Sequence, residues 1–292
     1  MARKKLIIEA RVTEYMPRDI NPNVPFTPEE IGNEAAKARE AGASIVHFHA
    51  RKPDGSPAHD TESYAAVVRA IRARCDVLVH ATLGQVTKGG EAERLSHMEI
   101  LAKDPATRPD FAPVDTGSTN IDTFDFHSKK YKTDRLTYLN NTSTLQFFSR
   151  RLPELGIKPA FISWTVAFTR TFEALREMGL VKPPSYLMFE LTDSGILGGH
   201  PGTAEGLLAH LRFLPSGPVE WSVCNKIGNL VSQAAVAIEM GGHIGVGLGD
   251  YAWPELGTPN NGDVVRFIVG MAKAMGREIA TPAETREMLG MP

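Results

Sequence analysis

A closed parallel (β/α)8 barrel is the fold this sequence predicts, on three observations. Eight short apolar, β-branched runs alternate with eight helix-like stretches, the pattern of a parallel sheet with crossover helices. The chain has 292 residues, enough for eight such units, which need about 250. The first strand-like run leads into Thr13-Glu14-Tyr15-Met16, not into the glycine-rich turn of an open dinucleotide-binding sheet. One catalytic barrel spanning 1–292 is the expected domain organisation.

In order, residues 5–12 read as the first strand. Thr27-Pro28-Glu29-Glu30 is a capping box with proline at the first helical position, and the helix it starts stops near Gly42. Residues 44–51 form the second strand, and Asp60 caps a helix to about 74. Strand 77–82 and helix 91–103 follow, then strand 110–115 and a long loop over 116–140. A helix over 143–156 precedes strand 160–165 and helix 168–180. Strand 185–191, helix 203–213, strand 219–223 and a helix near 229–240 come next. Strand 243–248 and helix 264–275 complete the eight units, and Thr281-Pro282-Ala283-Glu284 caps a short terminal helix.

Composition narrows the function classes. The chain is 42% hydrophobic and 23% charged, with a formal net charge of -2, so it shows no basic footprint for nucleic acid or anionic membrane. Cys75 and Cys224 are too few for a disulfide framework, which suits a reducing cytoplasm. No apolar run reaches 18 residues, and Met1-Ala2-Arg3-Lys4-Lys5 leads straight into a strand, so neither a membrane span nor a signal peptide is expected.

The chemistry-bearing residues gather at strand ends, where the fold places active sites. His47 and His49 are one residue apart on the second strand and point to one face, a ready clamp for a divalent metal; the plain alternative is a pair of hydrogen-bonded core histidines. On the first strand Leu6, Ile8, Ala10 and Val12 should meet the helices, which sends Glu9 and Arg11 into the barrel. Charges there need partners or a metal, and a simple Glu9–Arg11 pair also satisfies that need. The run from Thr82-Leu83-Gly84 to Gly90 suits a carboxylate or phosphate at a helix start, although a connecting loop explains it equally well. Thr116-Gly117-Ser118-Thr119-Asn120 offers hydroxyls and an amide to a substrate carboxylate, and the same residues are common turn formers. Gly245, Gly247 and Gly249 share a face of the last strand and mark a close approach by backbone or ligand, and Asp250 tops that strand as a candidate base. Trp253-Pro254-Glu255-Leu256-Gly257 is placed over the mouth. His59, His97, His127 and His210 are expected to be exposed.

Together these stretches resemble the β-keto acid cleavage enzymes. The resemblance rests on 23–30, on 40–51 with Asp54-Gly55, on Gly241-Gly242-His243-Ile244 and on 275–286 in that order. It implies a (β/α)8 barrel with a divalent metal, zinc first, and a retro-Claisen-type exchange in which a β-keto acid and acetyl-CoA give acetoacetate and a new acyl-CoA. It further implies a homo-oligomer, a tetramer by analogy. By the same resemblance His47 and His49 are metal ligands, Thr82 and Ser118 lie near the substrate, and Asp250 is the strand-eight aspartate. The chain departs from the family where an arginine and a metal-binding glutamate are usual on strand eight: Gly245 and Gly249 stand there. Glu9 and Arg11 occupy strand-one positions that are usually small and neutral, and strands one and eight are neighbours in a closed barrel. Glu9 is therefore expected to replace the lost carboxylate ligand and Arg11 the lost guanidinium, with Glu14 and Glu190 as rival ligands.

The expected chemistry follows. A metal with three protein ligands keeps a position for the ketone oxygen, Asp250 serves as base beside Arg11, and the substrate carboxylate sits on Thr82, Gly84, Thr116, Ser118 and Asn120. Glu14, Tyr15 and Asp193 are placed near the substrate's side chain, where Glu14 would favour a cationic amine or stand solvated. An amidohydrolase-like metal hydrolase needs further histidines on strands five and six, which have none. A degenerate barrel that binds a small acid without turnover is the non-enzyme alternative.

Overall fold

The first helix begins where its capping box dictates: in the computed structural model, which describes residues 4–14, 16–84 and 90–292, Thr27 Oγ1 accepts from Glu30 N and the Glu30 carboxylate accepts from Thr27 N. Elements then alternate as β1 (Ile8–Thr13), α1 (Pro28–Ala41), β2 (Ile45–Phe48), α2 (Thr61–Arg72), β3 (Leu78–Ala81), α3 (Glu91–Leu101) and β4 (Phe111–Asp115). Four two-residue strands come next, β5 (Thr119–Asn120), β6 (Phe124–Asp125), β7 (Lys130–Tyr131) and β8 (Thr137–Tyr138). The second half runs α4 (Thr142–Glu154), β9 (Lys158–Ser163), α5 (Val166–Glu177), β10 (Ser185–Thr192), α6 (Ala204–Leu211), β11 (Val219–Lys226), α7 (Val231–Met240), β12 (His243–Val246), α8 (Asn261–Ala274) and α9 (Pro282–Met288). The eight longer strands close in the order β1-β12-β11-β10-β9-β4-β3-β2. Every pair in that ring is parallel, which makes the fold a (β/α)8 barrel.

Strand alternation sorts β1 as its sequence implies. Leu6, Ile8, Ala10 and Val12 join the core between sheet and helices, whereas Ile7 joins the barrel floor with Ile45, Leu78, Phe111, Ala160 and Tyr186. Glu9 is the next inward residue, followed by Arg11, so both charges are buried above an apolar floor. The C-terminal tail seals the bottom: the buried Arg277 guanidinium donates to the carbonyls of Lys4 and Gly242 at 2.9 and 2.6 Å.

Three expectations fail here. The stretch 116–140 is not a bare loop; it folds into two antiparallel pairs, β5 with β8 and β6 with β7, whose two-residue length hides any period in sequence. His97 and His210 are buried, not exposed, because each ring is taken up by an aromatic neighbour, Tyr64 at 4.6 Å and Phe189 at 4.5 Å between centroids. Trp253 is buried against Phe267 on α8 and does not line the mouth.

Burial pushes the His210 imidazole down to about 3, so it stays neutral in the folded chain. The unfolded chain binds that proton near the ordinary histidine value, so stability is full above about pH 6.5 and falls as pH drops toward 3. His210→Leu should remove one proton's share of this slope, about 1.4 kcal/mol per pH unit. Urea midpoints of wild type and variant at pH 7 and pH 5 check it; an equal change with pH in both would show that His210 takes up its proton as readily in the fold as in the unfolded chain.

Candidate active site

The upper end of the barrel encloses a cavity of about 340 Å3. Its polar side is lined by Arg11 and Glu14 from the first strand and its exit, His47 and His49 from the second, His80 and Thr82 from the third, and Glu190 and Lys226 from the sixth and seventh.

The imidazoles meet because β2 and β3 pair in register, His47 opposite His80. His47 lies with its ring centroid 5.2 Å from His49 and 4.6 Å from His80. Among the described residues two sets of donors converge, each within 4.8 Å: Glu14, His47 and His49 at the mouth, and Glu9, His47 and His80 one layer deeper. Glu9 therefore falls with His47 and His80, not with the His47/His49 pair where the sequence places it. It points inward one layer below Arg11, where its carboxylate meets His80 Nδ1 at 3.2 Å. Glu14, a rival in the sequence, is the carboxylate that reaches both mouth histidines. Sequence reasoning missed His80 as a donor, although its inward parity on the third strand is the signal.

Arg11 is the electrostatic centre. Its Nε donates to Asp250 Oδ2 at 2.6 Å and its Nη2 to Glu14 Oε2 at 3.1 Å. Glu9 Oε1 stands 3.6 Å from Nη1 and Glu190 Oε2 3.7 Å from Nη2. The three glycines of the last strand make room for this arrangement. A Cβ at Gly245 would come within 3.2 Å of Arg11 Cδ, and one at Gly247 or Gly249 would meet the Arg11 backbone oxygen at 2.2 or 2.8 Å. The relocated guanidinium and the missing strand-eight side chains are thus one packing solution. A glutamate at 249 would need the β1 backbone to move.

Lys226 was also missed, because the seventh strand reads as ending at 223 while β11 runs three residues further. Its ammonium donates to Glu14 Oε1 and lies 3.6 Å from Glu190 Oε1. Burial pushes the Glu14 carboxyl up, but the Lys226 and Arg11 cations outweigh it and hold it well below the usual range. Burial raises Glu190 to about 6 and Asp250 well above the usual carboxylate range, against the pull of their cations. Burial likewise keeps His47 and His49 neutral, His49 down to about 3, and neutral imidazole is the form a metal takes.

The expected carboxylate-binding turns are placed differently. Thr82 lines the cavity, and its Oγ1 accepts from Gly84 N at 3.3 Å. Gly84 itself has φ +62 and a Cβ there would meet His59 Nδ1 at 2.6 Å, so it is a turn glycine outside the lining. Residues 85–89 and Tyr15 lie outside the described residues. Thr116 turns away and donates to the carbonyls of Ile162 and Phe168, Ser118 accepts from Asn140 N, and Asn120 pairs with Thr137 in β5–β8. None of these three lines the cavity, since Thr116 and Ser118 spend their hydroxyls on the backbone of neighbouring segments and Asn120 lies in the β5–β8 pair. Asp250 stands behind Arg11, outside the lining, with Oδ1 buried and without a hydrogen bond. The far wall is Met16, Ile121, Ile162, Trp164, Ile196 and Ile227, with Asp115 held by Tyr138 Oη at 2.5 Å and Trp164 Nε1 at 2.8 Å.

Residues 5–291 match the family model described as beta-keto acid cleavage enzyme. The chain is 32% identical to the 3-keto-5-aminohexanoate cleavage enzyme of Fusobacterium nucleatum over 99% of this chain and 98% of that one. It is 28% identical to the 3,5-dioxohexanoate:acetyl-CoA acetone transferase of Paraburkholderia graminis, covering 98% and 96%. Among solved structures, the ternary complex of ObcA with a C4-CoA adduct and oxalate superposes with a TM-score of 0.69 at 17% identity, covering 92% of this chain and 68% of that one, a likeness of fold.

Proposed function

The chain belongs to the beta-keto acid cleavage enzyme family, and from that premise we propose that it exchanges acyl groups between a β-keto acid and acetyl-CoA within one catalytic barrel. In the exchange the C2–C3 bond of the β-keto acid breaks and C2 joins the acetyl carbonyl carbon. The CoA sulfur passes to the released acyl fragment, and the products are acetoacetate and a new acyl-CoA. The observation that carries this reading is that His47, His49, Arg11 and Lys226 face one cavity above a sealed barrel floor.

The donor set fits a divalent cation. His47 Nδ1, His80 Nε2 and Glu9 Oε1 are buried without a hydrogen-bond partner, and four carboxyl groups, Glu9, Glu14, Glu190 and Asp250, share the two cations Arg11 and Lys226. Such a cluster is short of positive charge. His47, His49 and Glu14 would hold the cation at the mouth, zinc first by their chemistry, and Glu9 with His80 would hold it one layer deeper. When bound, it supplies Lewis-acid polarisation of a ketone oxygen.

The chain's own residues handle the proton and the charge. Asp250, its carboxylate oriented by Arg11 Nε and its pKa raised by burial, is the first candidate for the base that takes a proton from C2, and it reaches the cavity only past Arg11. Glu190 is the second candidate, favoured by its place in the cavity lining. The Thr82 hydroxyl faces the substrate, and the ammonium and guanidinium groups offset charge that develops during exchange.

Incubating the enzyme with acetyl-CoA and a panel of β-keto acids should yield acetoacetate in amounts equal to the new acyl-CoA. Binding without any acetoacetate would replace this reading by the non-catalytic barrel, and hydrolysis of an amide or ester would replace it by the hydrolase.

A further inference from the structure

The cavity carries an opinion about the substituent beyond the ketone. A cationic amine there needs a buried carboxylate with charge to spare. Glu14 has none, because Lys226 and Arg11 bind its two oxygens and the cation proposed at His47 and His49 would draw on the same carboxylate. Glu190 has an oxygen without a hydrogen bond, but its charge is shared by two cations, Lys226 at 3.6 Å and Arg11 at 3.7 Å, and Glu9 lies one layer deeper against His80 and Arg11. Asp115 accepts one donor on each oxygen, and the Lys226 ammonium, 5.6 Å from the Trp164 ring, already places a positive charge beside the Trp164–Asp115 pair. A second cation would be repelled there. An anionic substituent fares no better, since Lys226 and Arg11 are both engaged by carboxylates that outnumber them. The apolar part of the wall includes Met16, Ile121, Ile162, Ile196 and Ile227, which rewards apolar surface.

Resting on the exchange reading above, we propose that the preferred β-keto acid carries an uncharged, apolar substituent, and that Lys226 enforces this by occupying Glu14. Specificity of this kind uses fixed charges of both signs to reject both signs of substrate. The Fusobacterium nucleatum relative is named for a substrate that carries an amine, so the two chains would divide the family's substrates at this point.

Three six-carbon acids isolate the charge: 3-oxohexanoate, 3-keto-5-aminohexanoate and 3-oxoadipate. With acetyl-CoA, kcat/KM for the neutral acid should exceed both charged ones by about 100-fold. Equal or faster turnover of either charged acid would overturn the proposal and leave the exchange reading intact. Intrinsic tryptophan fluorescence, with Trp164 in the wall, reads binding of the same acids apart from turnover. The neutral acid should bind tightest even if no acetoacetate forms, and tighter binding of a charged acid would overturn the proposal on its own. Lys226→Met should shift the amine-to-neutral ratio of kcat/KM by about tenfold or more toward the amine, while Lys226→Arg keeps the wild-type preference. An unchanged ratio in Lys226→Met would remove Lys226 from the selectivity.

Discussion

His47→Ala is expected to abolish divalent-cation binding and to lower kcat/KM by about 1000-fold or more. The expectation follows from position. His47 belongs to both convergent donor sets, so its loss leaves two donors at either level among the described residues. Two donors rarely retain a dication through dialysis, whereas three hold it and keep a position for the substrate. Elemental analysis of dialysed protein together with steady-state kinetics checks it, and full metal content in the variant would move the site elsewhere. The carboxylates then separate the two levels. Glu14→Gln should release the metal as His49→Ala does if the cation sits at the mouth, while Glu9→Gln and His80→Ala should spare it. The opposite pattern would place the ion in the deeper set and restore Glu9 as its ligand.

Asp250→Asn is expected to lower kcat by about 100- to 10000-fold with little loss of stability. Asparagine still offers an oxygen to Arg11 Nε, so the guanidinium keeps its place, but the side chain no longer takes a proton. Arg11→Met differs: it leaves Glu9, Glu14, Glu190 and Asp250 without their common cation and should cost about 3–5 kcal/mol of stability as well as activity. The pH profile assigns the base. A carboxylate base works only when ionised, so kcat/KM falls as pH drops through its pKa. If Glu190 has that role, the fall lies near pH 6, and Glu190→Gln removes the acidic limb while Asp250→Asn keeps it. Comparing the two variants from pH 5 to pH 9 decides between them.

Much of this protein was legible in one dimension because the relevant physics is local. The helix starts at Thr27, Asp60, Thr203 and Thr281 are written in caps that act over three residues. The alternation along β1 and β2 fixes which residues turn inward, so the burial of Glu9, Arg11 and His47 follows from parity alone. The glycines at 245, 247 and 249 likewise announce a close approach on the last strand.

Partner choice was not local. Arg11 meets Asp250 across 239 residues and Lys226 meets Glu14 across 212. Those distances collapse only when β1 closes against β12 and the strand ends gather at one mouth. The register between strands, a property of barrel closure, decides that Glu9 reaches His80 and that Glu14 reaches His49. The sequence by itself determined the barrel and the inward-facing imidazoles, since strand period and capping need no distant residue. Tertiary structure alone decided which carboxylates stand beside which histidines and that Lys226 meets Glu14, because those contacts exist only once the barrel closes.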